Sequence, residues 1–136
     1  MRTDTSTFSL DSPLVVVERM FAAFATDDME GVLATVHPES RWSYLGANPA
    51  ISSAEFTGKA AVRGFFEGIM HRLELTSFDP EEVVVQKDTV VVFGTEAGMV
   101  RAIGQPVRNR WGQKYVVQSG LIVSMSEYNV QVEPKA

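Results

Sequence analysis

Residues that titrate near neutral pH are scarce in this sequence. It contains no cysteine, which excludes disulfides, thiol nucleophiles and cysteine-ligated metals, and only two histidines, His37 and His71. Either histidine is a candidate catalytic base. Each is also explained by a place near the C-terminal end of a predicted helix, where the helix dipole stabilises a partly charged imidazole by about 0.3 to 1 kcal/mol. We expect neither a metal nor any other cofactor.

Two aromatic residues share one face of a predicted short strand around residues 41–45. Trp42 and Tyr44 alternate with Arg41 and Ser43, so both rings point to the same side of that strand. Trp42 suits a core position. Tyr44 is a candidate acid or hydrogen-bond donor to a ligand carbonyl, although a bond to the backbone would explain a buried phenol equally well.

A later strand, predicted over residues 107–118, has two chemically different faces. Its even positions are mostly basic, small or polar, and its odd positions carry apolar, aromatic and amide side chains: Val107, Asn109, Trp111, Gln113, Tyr115 and Val117. A face that mixes rings with amides is typical of a half-polar cavity wall. Because residues 97–126 contain no Asp or Glu, we expect the last hairpin to supply no carboxylate to that cavity.

Three helices precede these strands. Each has apolar residues spaced to form one face: Val17, Met20, Phe21 and Phe24; Met29, Val32, Leu33 and Val36; Val62, Phe65, Phe66 and Ile69. Ser12 with Pro13, Asp28, and Thr57 with Gly58 mark the three starts, and Pro38 is expected to end the second helix. From about Leu73 onward, β-branched runs and turn residues predict a meander of four long strands. Helices followed by strands indicate an α+β fold.

The chain length of 136 residues fits one domain. We assign it to residues 13–132, after a disordered polar tail at 1–12, with the small-residue loop at 45–57 as a candidate lid. The net charge of −5 disfavours nucleic acid and anionic membrane surfaces as partners, and no apolar run approaches the ~20 residues of a membrane span. We therefore expect a cytoplasmic protein.

Three passages resemble the nuclear transport factor two-like superfamily, in its SnoaL-like and ketosteroid-isomerase-like branches. They are FAAFATDDMEGVLA (21–34), FTGKAAVRGFF (56–66) and SGLIVSMSEY (119–128). The resemblance implies a cone in which three N-terminal helices pack on a curved, mainly antiparallel sheet around an internal pocket. It also implies a homodimer formed through the sheet.

The resemblance does not carry over the catalytic residues of ketosteroid isomerases. These enzymes need a carboxylate base and two oxyanion donors. The alignment places Met20 at the tyrosine donor, Tyr44 at the base, and Gly112 or Gln113 at the acid donor.

The catalytic set of limonene-epoxide hydrolases is also incomplete. Their Asp, Arg and Asp constellation matches Arg101 without the accompanying acid, and a register that uses Glu96 and Gly98 is no better. Arg101 points either into the cavity, where it would need an anionic partner, or out to the basic sheet surface.

The leading hypothesis is a SnoaL-like protein that binds a small, mainly hydrophobic molecule in the cone. If it is an enzyme, we expect proton transfer on a carbonyl compound (isomerase, cyclase or dehydratase type), with Tyr44 as the acid or donor and His71 or His37 as the base. The alternative is a non-catalytic ligand-binding or dimeric assembly module. The predicted ligand-binding residues are Met20, Phe24, Trp42, Tyr44, Phe66, Trp111, Gln113 and Tyr115.

Overall fold

The computed structural model describes residues 12–46 and 51–132, which form three helices and six strands. The helices are α1 (Pro13–Ala25), α2 (Met29–Leu33) and α3 (Lys59–Arg72). The strands are β1 (Val36–Gly46), β2 (Ala54–Thr57), β3 (Leu73–Gln86), β4 (Thr89–Val100), β5 (Gln105–Gln118) and β6 (Leu121–Gln131). The predicted tail, apart from Ser12, and positions 47–50 of the candidate lid lie outside the described residues.

The strands form one mixed sheet in the order β2-β1-β6-β5-β4-β3. Strands β3 to β6 pair antiparallel as a meander, and β2 pairs antiparallel with β1. Strand β1 pairs parallel with β6, which joins the first strand of the chain to the last. The predicted α+β class is confirmed.

The helices begin where the sequence signals them. Pro13 opens α1, and the Asp28 carboxylate accepts a hydrogen bond from the Gly31 amide at 2.9 Å, which caps α2. Gly58 precedes α3 with a φ of 92°, a left-handed value that favours glycine. Within the described residues, no helix is long and apolar enough to cross a membrane.

The second helix is shorter than predicted. It ends at Leu33 rather than continuing to Pro38, because the fully buried Val36 begins strand β1 and pairs with Ile122 of β6. Pro38 lies where the β1–β6 register shifts, so its missing N–H removes no ladder bond there. His37 is therefore a strand residue and not a helix C-terminal residue as we expected.

The concave face of the sheet holds the core, with α1 and α3 packed over it. Strand β5 follows the alternation that the sequence predicts, since all its odd positions from Val107 to Val117 are buried while Arg108, Arg110 and Lys114 are exposed. The core thus combines aliphatic side chains and rings from the helices and the sheet with amides from the sheet.

A glycine makes room for the largest of these rings. Gly94 of β4 lies opposite Trp111 of β5 in the ladder, and a Cβ at Gly94 would overlap both the indole ring and the Asp79 carbonyl oxygen. The indole stacks on the Phe78 ring of β3, with centroids 4.8 Å apart and planes 9° from parallel. The absent side chain at Gly94 therefore lets an aromatic contact reach across β4.

Candidate functional site

A small cavity lies between α1, α3 and the concave face of the sheet, with a volume of about 40 Å³. Most of its wall is aromatic or aliphatic. Seven of the eight predicted ligand-binding residues lie on this wall: Met20, Phe24, Trp42, Tyr44, Phe66, Gln113 and Tyr115. Trp111, the eighth, is buried behind Phe78, which does line the cavity. The alternation of β1 and β5 thus brings their inward residues together as expected.

Two carboxylates also face the cavity, which corrects the expectation that the late strands supply none. Glu96 comes from β4 and Glu127 from β6, and each is less than a tenth exposed. Glu96 immediately precedes residues 97–126 and Glu127 immediately follows them. The expectation was based on the absence of acids within that range, so it included neither residue. Strand periodicity is the signal that could have found Glu127, because Met125, Glu127 and Asn129 alternate with outward residues.

Amide side chains hold both carboxylates. The Asn109 amide donates to Glu96 Oε2 at 2.8 Å, and the Asn129 amide donates to Glu96 Oε2 at 3.2 Å and to Glu127 Oε2 at 3.0 Å. The Gln113 amide donates to Glu127 Oε1 at 3.0 Å. One amide nitrogen therefore bridges the two acids, and all four of these hydrogen bonds come from amides rather than from basic side chains.

A tyrosine fixes the orientation of Gln113. The Tyr115 hydroxyl donates to Gln113 Oε1 at 2.6 Å, which leaves the Gln113 amide nitrogen pointing at Glu127. Burial raises the pKa of Tyr115 well above its ordinary value, and the charge of Glu127 adds to that rise. Tyr115 therefore stays protonated and acts as a donor at neutral pH.

The environment of Glu127 makes its proton labile near neutrality. Burial raises the pKa of Glu127 from 4.5 to about 7, hydrogen bonds from Asn129 and Gln113 oppose the rise, and the charge of Glu96 adds to it. At pH 7 both protonation states are thus well populated. A carboxyl group of this kind is suited to general acid or base catalysis.

Tyr44 lies beside Glu127 in the sheet, because the two residues pair in the parallel β1–β6 register. Its side chain is 3% exposed and lines the cavity, so a phenol and a carboxyl group from neighbouring strands reach the same space. A neutral phenol can donate a hydrogen bond to a carbonyl oxygen.

The two histidines do not line the cavity. His37 accepts a hydrogen bond on Nδ1 from the Glu39 amide at 3.0 Å, and His71 is exposed near the C-terminal end of α3. Arg101 is exposed as well, and its Nε donates to the Met70 carbonyl at 3.2 Å. Arg101 therefore takes neither of the two orientations left open by the sequence, because it lies in the turn between β4 and β5, bonded to the end of α3, and does not line the cavity.

In the part of the chain that the structure describes, no three His, Cys, Asp or Glu side chains converge in an arrangement that could hold a metal ion. The chemistry of the cavity wall is that of carboxyl groups, amides and phenols.

Several solved structures have the same fold. An NTF2-like protein from Burkholderia xenovorans superposes with a TM-score of 0.77 at 25% identity, over 86% of this chain and 88% of that one. A putative isomerase from Bacillus subtilis gives a TM-score of 0.73 at 20% identity, over 90% and 88%. TerC, co-crystallised with polyporic acid, gives 0.73 at 24% identity, over 85% and 90%.

No curated protein matches the sequence. Residues 17–125, which contain α3, most of α1 and most of the sheet, match the model of the SnoaL-like domain. The chain therefore belongs to the SnoaL-like family and has an NTF2-like fold.

Proposed function

We propose that the cavity binds a small, mainly hydrophobic carbonyl compound and that Glu127 moves a proton at the carbon next to its carbonyl group. The observation that carries this proposal is the buried carboxyl group of Glu127, whose pKa is raised to about 7 in a mainly aromatic and aliphatic cavity. A base with that pKa is half ionised at neutral pH and is not stabilised by a nearby cation.

Glu127 replaces the histidine that the sequence suggested as the base. Each of its oxygens accepts one amide hydrogen bond, and a carboxylate oxygen has a second lone pair available for a substrate proton. The bonds from Gln113 and Asn129 also restrict the rotation of the carboxyl group. Glu127 would take the proton from carbon, leaving an enolate, and return it to carbon or oxygen in a second step.

Tyr44 would be the donor to the substrate oxygen. Its ring lines the same cavity and its strand neighbour is Glu127, so a flat substrate lying across both side chains would present its oxygen to one and its α-carbon to the other. Hydrogen-bond donation to a developing enolate lowers the barrier because negative charge accumulates on that oxygen.

The exchange of α-protons in deuterated water tests this proposal without knowledge of the natural substrate. With 2-tetralone as the probe ketone, we expect the protein to accelerate deuterium incorporation, with a rate that rises as pH increases through about 7. The Glu127→Gln variant keeps the shape of the side chain but cannot accept the proton, so it should lose about 10²-fold or more of that rate. Nuclear magnetic resonance measures the exchange.

Glu18→Gln is the matched control, because Glu18 is an exposed glutamate of α1. It should leave exchange unchanged. Equal exchange in wild type and Glu127→Gln would contradict the proposed role of Glu127. Binding of 2-tetralone without any accelerated exchange would instead support the alternative of a non-catalytic binding module.

We also propose that the chain forms a homodimer through the outer face of the sheet. Phe93, Gly112, Tyr128 and Leu45 are consecutive cross-strand neighbours on β4, β5, β6 and β1. The three large side chains of this outer row are 47%, 56% and 58% exposed. An exposed apolar row on a sheet is favourable to bury against a second copy.

Charge around the outer row supports a second copy as the occupant. Arg110 and Lys114 flank Gly112 on β5, while Glu82 lies opposite Phe93 on β3. A two-fold axis near Phe93 on β4, which lies between β5 and β3, would bring the basic strand of one protomer towards the acidic strand of its partner.

A further inference from the structure

The cavity next to Glu127 is closed to molecules of substrate size. Its volume of about 40 Å³ is large enough for a water molecule, whereas pockets for small organic ligands typically have roughly 300 to 1,000 Å³. A groove of about 830 Å³ lies immediately outside it, between the C-terminal half of α1, the end of α3 and the first half of β3.

The cavity and the groove share one wall. Six apolar side chains line both spaces: Phe21, Phe24, Ile69, Leu73, Leu75 and Phe78. Movement of a side chain in this shared wall would therefore join a space of substrate size to the two buried carboxyl groups.

Phe78 is the member of the wall that the local structure leaves most free to move. It lies on β3, an edge strand that pairs only with β4 among the described strands, and the β3–β4 register shifts on both sides of it, between Leu75 and Ser77 and between Pro80 and Glu82. Bulged edge segments have fewer ladder bonds to break than central strands.

Three aromatic contacts hold the Phe78 ring in the closed position. Its centroid lies 6.0 Å from that of Phe21 and 5.4 Å from that of Phe24, both edge to face, and 4.8 Å from that of Trp111. Such pairs are individually weak and tolerate an aromatic ligand as a replacement partner.

We propose that Phe78 separates an inner subsite at Glu127 from an outer subsite in the groove, and that it selects ligands by size. The inner subsite takes a flat apolar ring. The outer subsite takes the polar end of the same molecule, because its rim carries Asp27, Glu74 and Arg101. This inference rests on the proposed function for the chemistry of the ligand, but not for the position of the partition.

Association kinetics test the partition directly. 2-Naphthol is a suitable probe, because its absorption overlaps tryptophan emission and Trp42 lies on the cavity wall. Stopped-flow fluorescence with Phe78→Ala should give an association rate constant at least about 10-fold above wild type, and Phe78→Trp should give a lower one than wild type. Phe78→Leu, which keeps an apolar contact, should fall between wild type and Phe78→Ala.

Val84→Ala is the control, since Val84 is a half-exposed residue of the same strand that does not line the groove. It should bind the probe at the wild-type rate. Circular dichroism and thermal unfolding identify any variant that is not folded, and Phe78→Leu then serves in place of Phe78→Ala.

Each outcome bears on the partition. Equal association rates in wild type, Phe78→Leu, Phe78→Ala and Phe78→Trp would overturn it, as would failure of every folded variant to bind the probe. Binding by Phe78→Ala but not by wild type would support it. A rate that depends on residue 78, together with exchange of 2-tetralone that is unaffected by Glu127→Gln, would overturn only the proposed function. Loss of exchange in Glu127→Gln with rates independent of residue 78 would overturn only the partition.

Discussion

The Glu127 carboxyl group sits in surroundings that disfavour its charged form. Burial in a ring-lined cavity removes water from it, and two amide donors only partly compensate. Burying the protonated form of Glu127 lowers the free energy of unfolding of the protein little, whereas the ionised form is less stable in the folded protein than in the unfolded chain. The same property that suits Glu127 to proton transfer therefore lowers the stability of the folded protein at higher pH.

The stability of the protein should fall as pH rises through neutrality. The folded state binds the Glu127 proton with a pKa of about 7, against 4.5 for an unperturbed glutamate, so between these values it carries more protons than the unfolded chain. The free energy of unfolding is then highest below about pH 4.5 for this group and decreases by up to about 3 kcal/mol as pH rises past 7. Urea unfolding at a series of pH values measures the change.

Glu127→Gln should remove this part of the pH dependence, while Glu18→Gln should retain it. A wild-type unfolding curve that shows the same slope with pH as Glu127→Gln would contradict the raised pKa.

Alternation along the strands found most of the cavity wall but not its acids. Trp42, Tyr44, Gln113 and Tyr115 follow from the period of two in β1 and β5. Glu127 was not predicted as a cavity residue, because acids in the late strands were considered only up to residue 126. The raised pKa itself depends on which amides surround the carboxyl group across β5 and β6, and no local pattern reports that.

Gly94 of β4 makes room for a ring from the neighbouring strand β5. With no side chain at this position, Trp111 lies across the strand and stacks on Phe78, the ring that we propose as the partition. A backbone carbonyl, that of Asp79, occupies the remaining space, so the site has no room to relax.

Gly94→Ala should destabilise the protein by about 1 to 3 kcal/mol, because the added methyl group overlaps an indole ring and a backbone oxygen. The displaced indole should also change its fluorescence spectrum. Denaturant unfolding measures the first effect, and steady-state emission measures the second.

Gly64→Ala provides the matched comparison within α3. A Cβ at Gly64 meets nothing within 4 Å, so alanine should stabilise the exposed helix position by about 0.5 to 1 kcal/mol. Equal unfolding free energies for wild type and Gly94→Ala would show that the Trp111 contact does not constrain this position.

Helix starts were predictable and one helix end was not. Pro13, Asp28 and Gly58 signal the starts of α1, α2 and α3 through local capping chemistry. The end of α2 was wrong because Val36 continues the helical apolar spacing by coincidence. Its partner is Ile122 of β6, a residue far away in sequence, and this contact decides the conformation.

The two faces of the sheet differ in the side chains that they present. The concave side encloses the cavity, and the convex side exposes Phe93, Tyr128 and Leu45 in one row, with Val130 as a further exposed apolar side chain of β6. Stable interfaces bury at least about 1,000 Å² in total, and a sheet face of six strands is wide enough to supply that.

Tyr128→Lys should shift the protein from dimer to monomer, because a second copy would have to bury a lysine against its own outer row. We expect the dissociation constant to rise about 10-fold or more, as for other central aromatic residues of interfaces. Native mass spectrometry at micromolar concentration measures the populations.

Ile103→Lys is the control, since Ile103 is 67% exposed in the turn between β4 and β5 and lies off the outer row. It should leave the dimer intact. A wild-type protein that is monomeric at micromolar concentration would contradict the proposed interface.

The class of fold and the order of the meander were accessible from sequence, because turns between adjacent strands are local. The pairing of β1 with β6 was not, since nothing near either strand marks the other as its partner. The cavity depends on that pairing, as it sets Tyr44 beside Glu127.

The same β1–β6 ladder has a consequence for how the chain is made. During synthesis on the ribosome, β1 emerges early. It cannot form its parallel ladder until β6, the last strand of the chain, has also emerged. Contacts so distant in sequence raise the contact order and slow folding, since a long loop must close before they form. Until then α1 has only part of the surface that it finally covers, and its apolar face is open to chaperones.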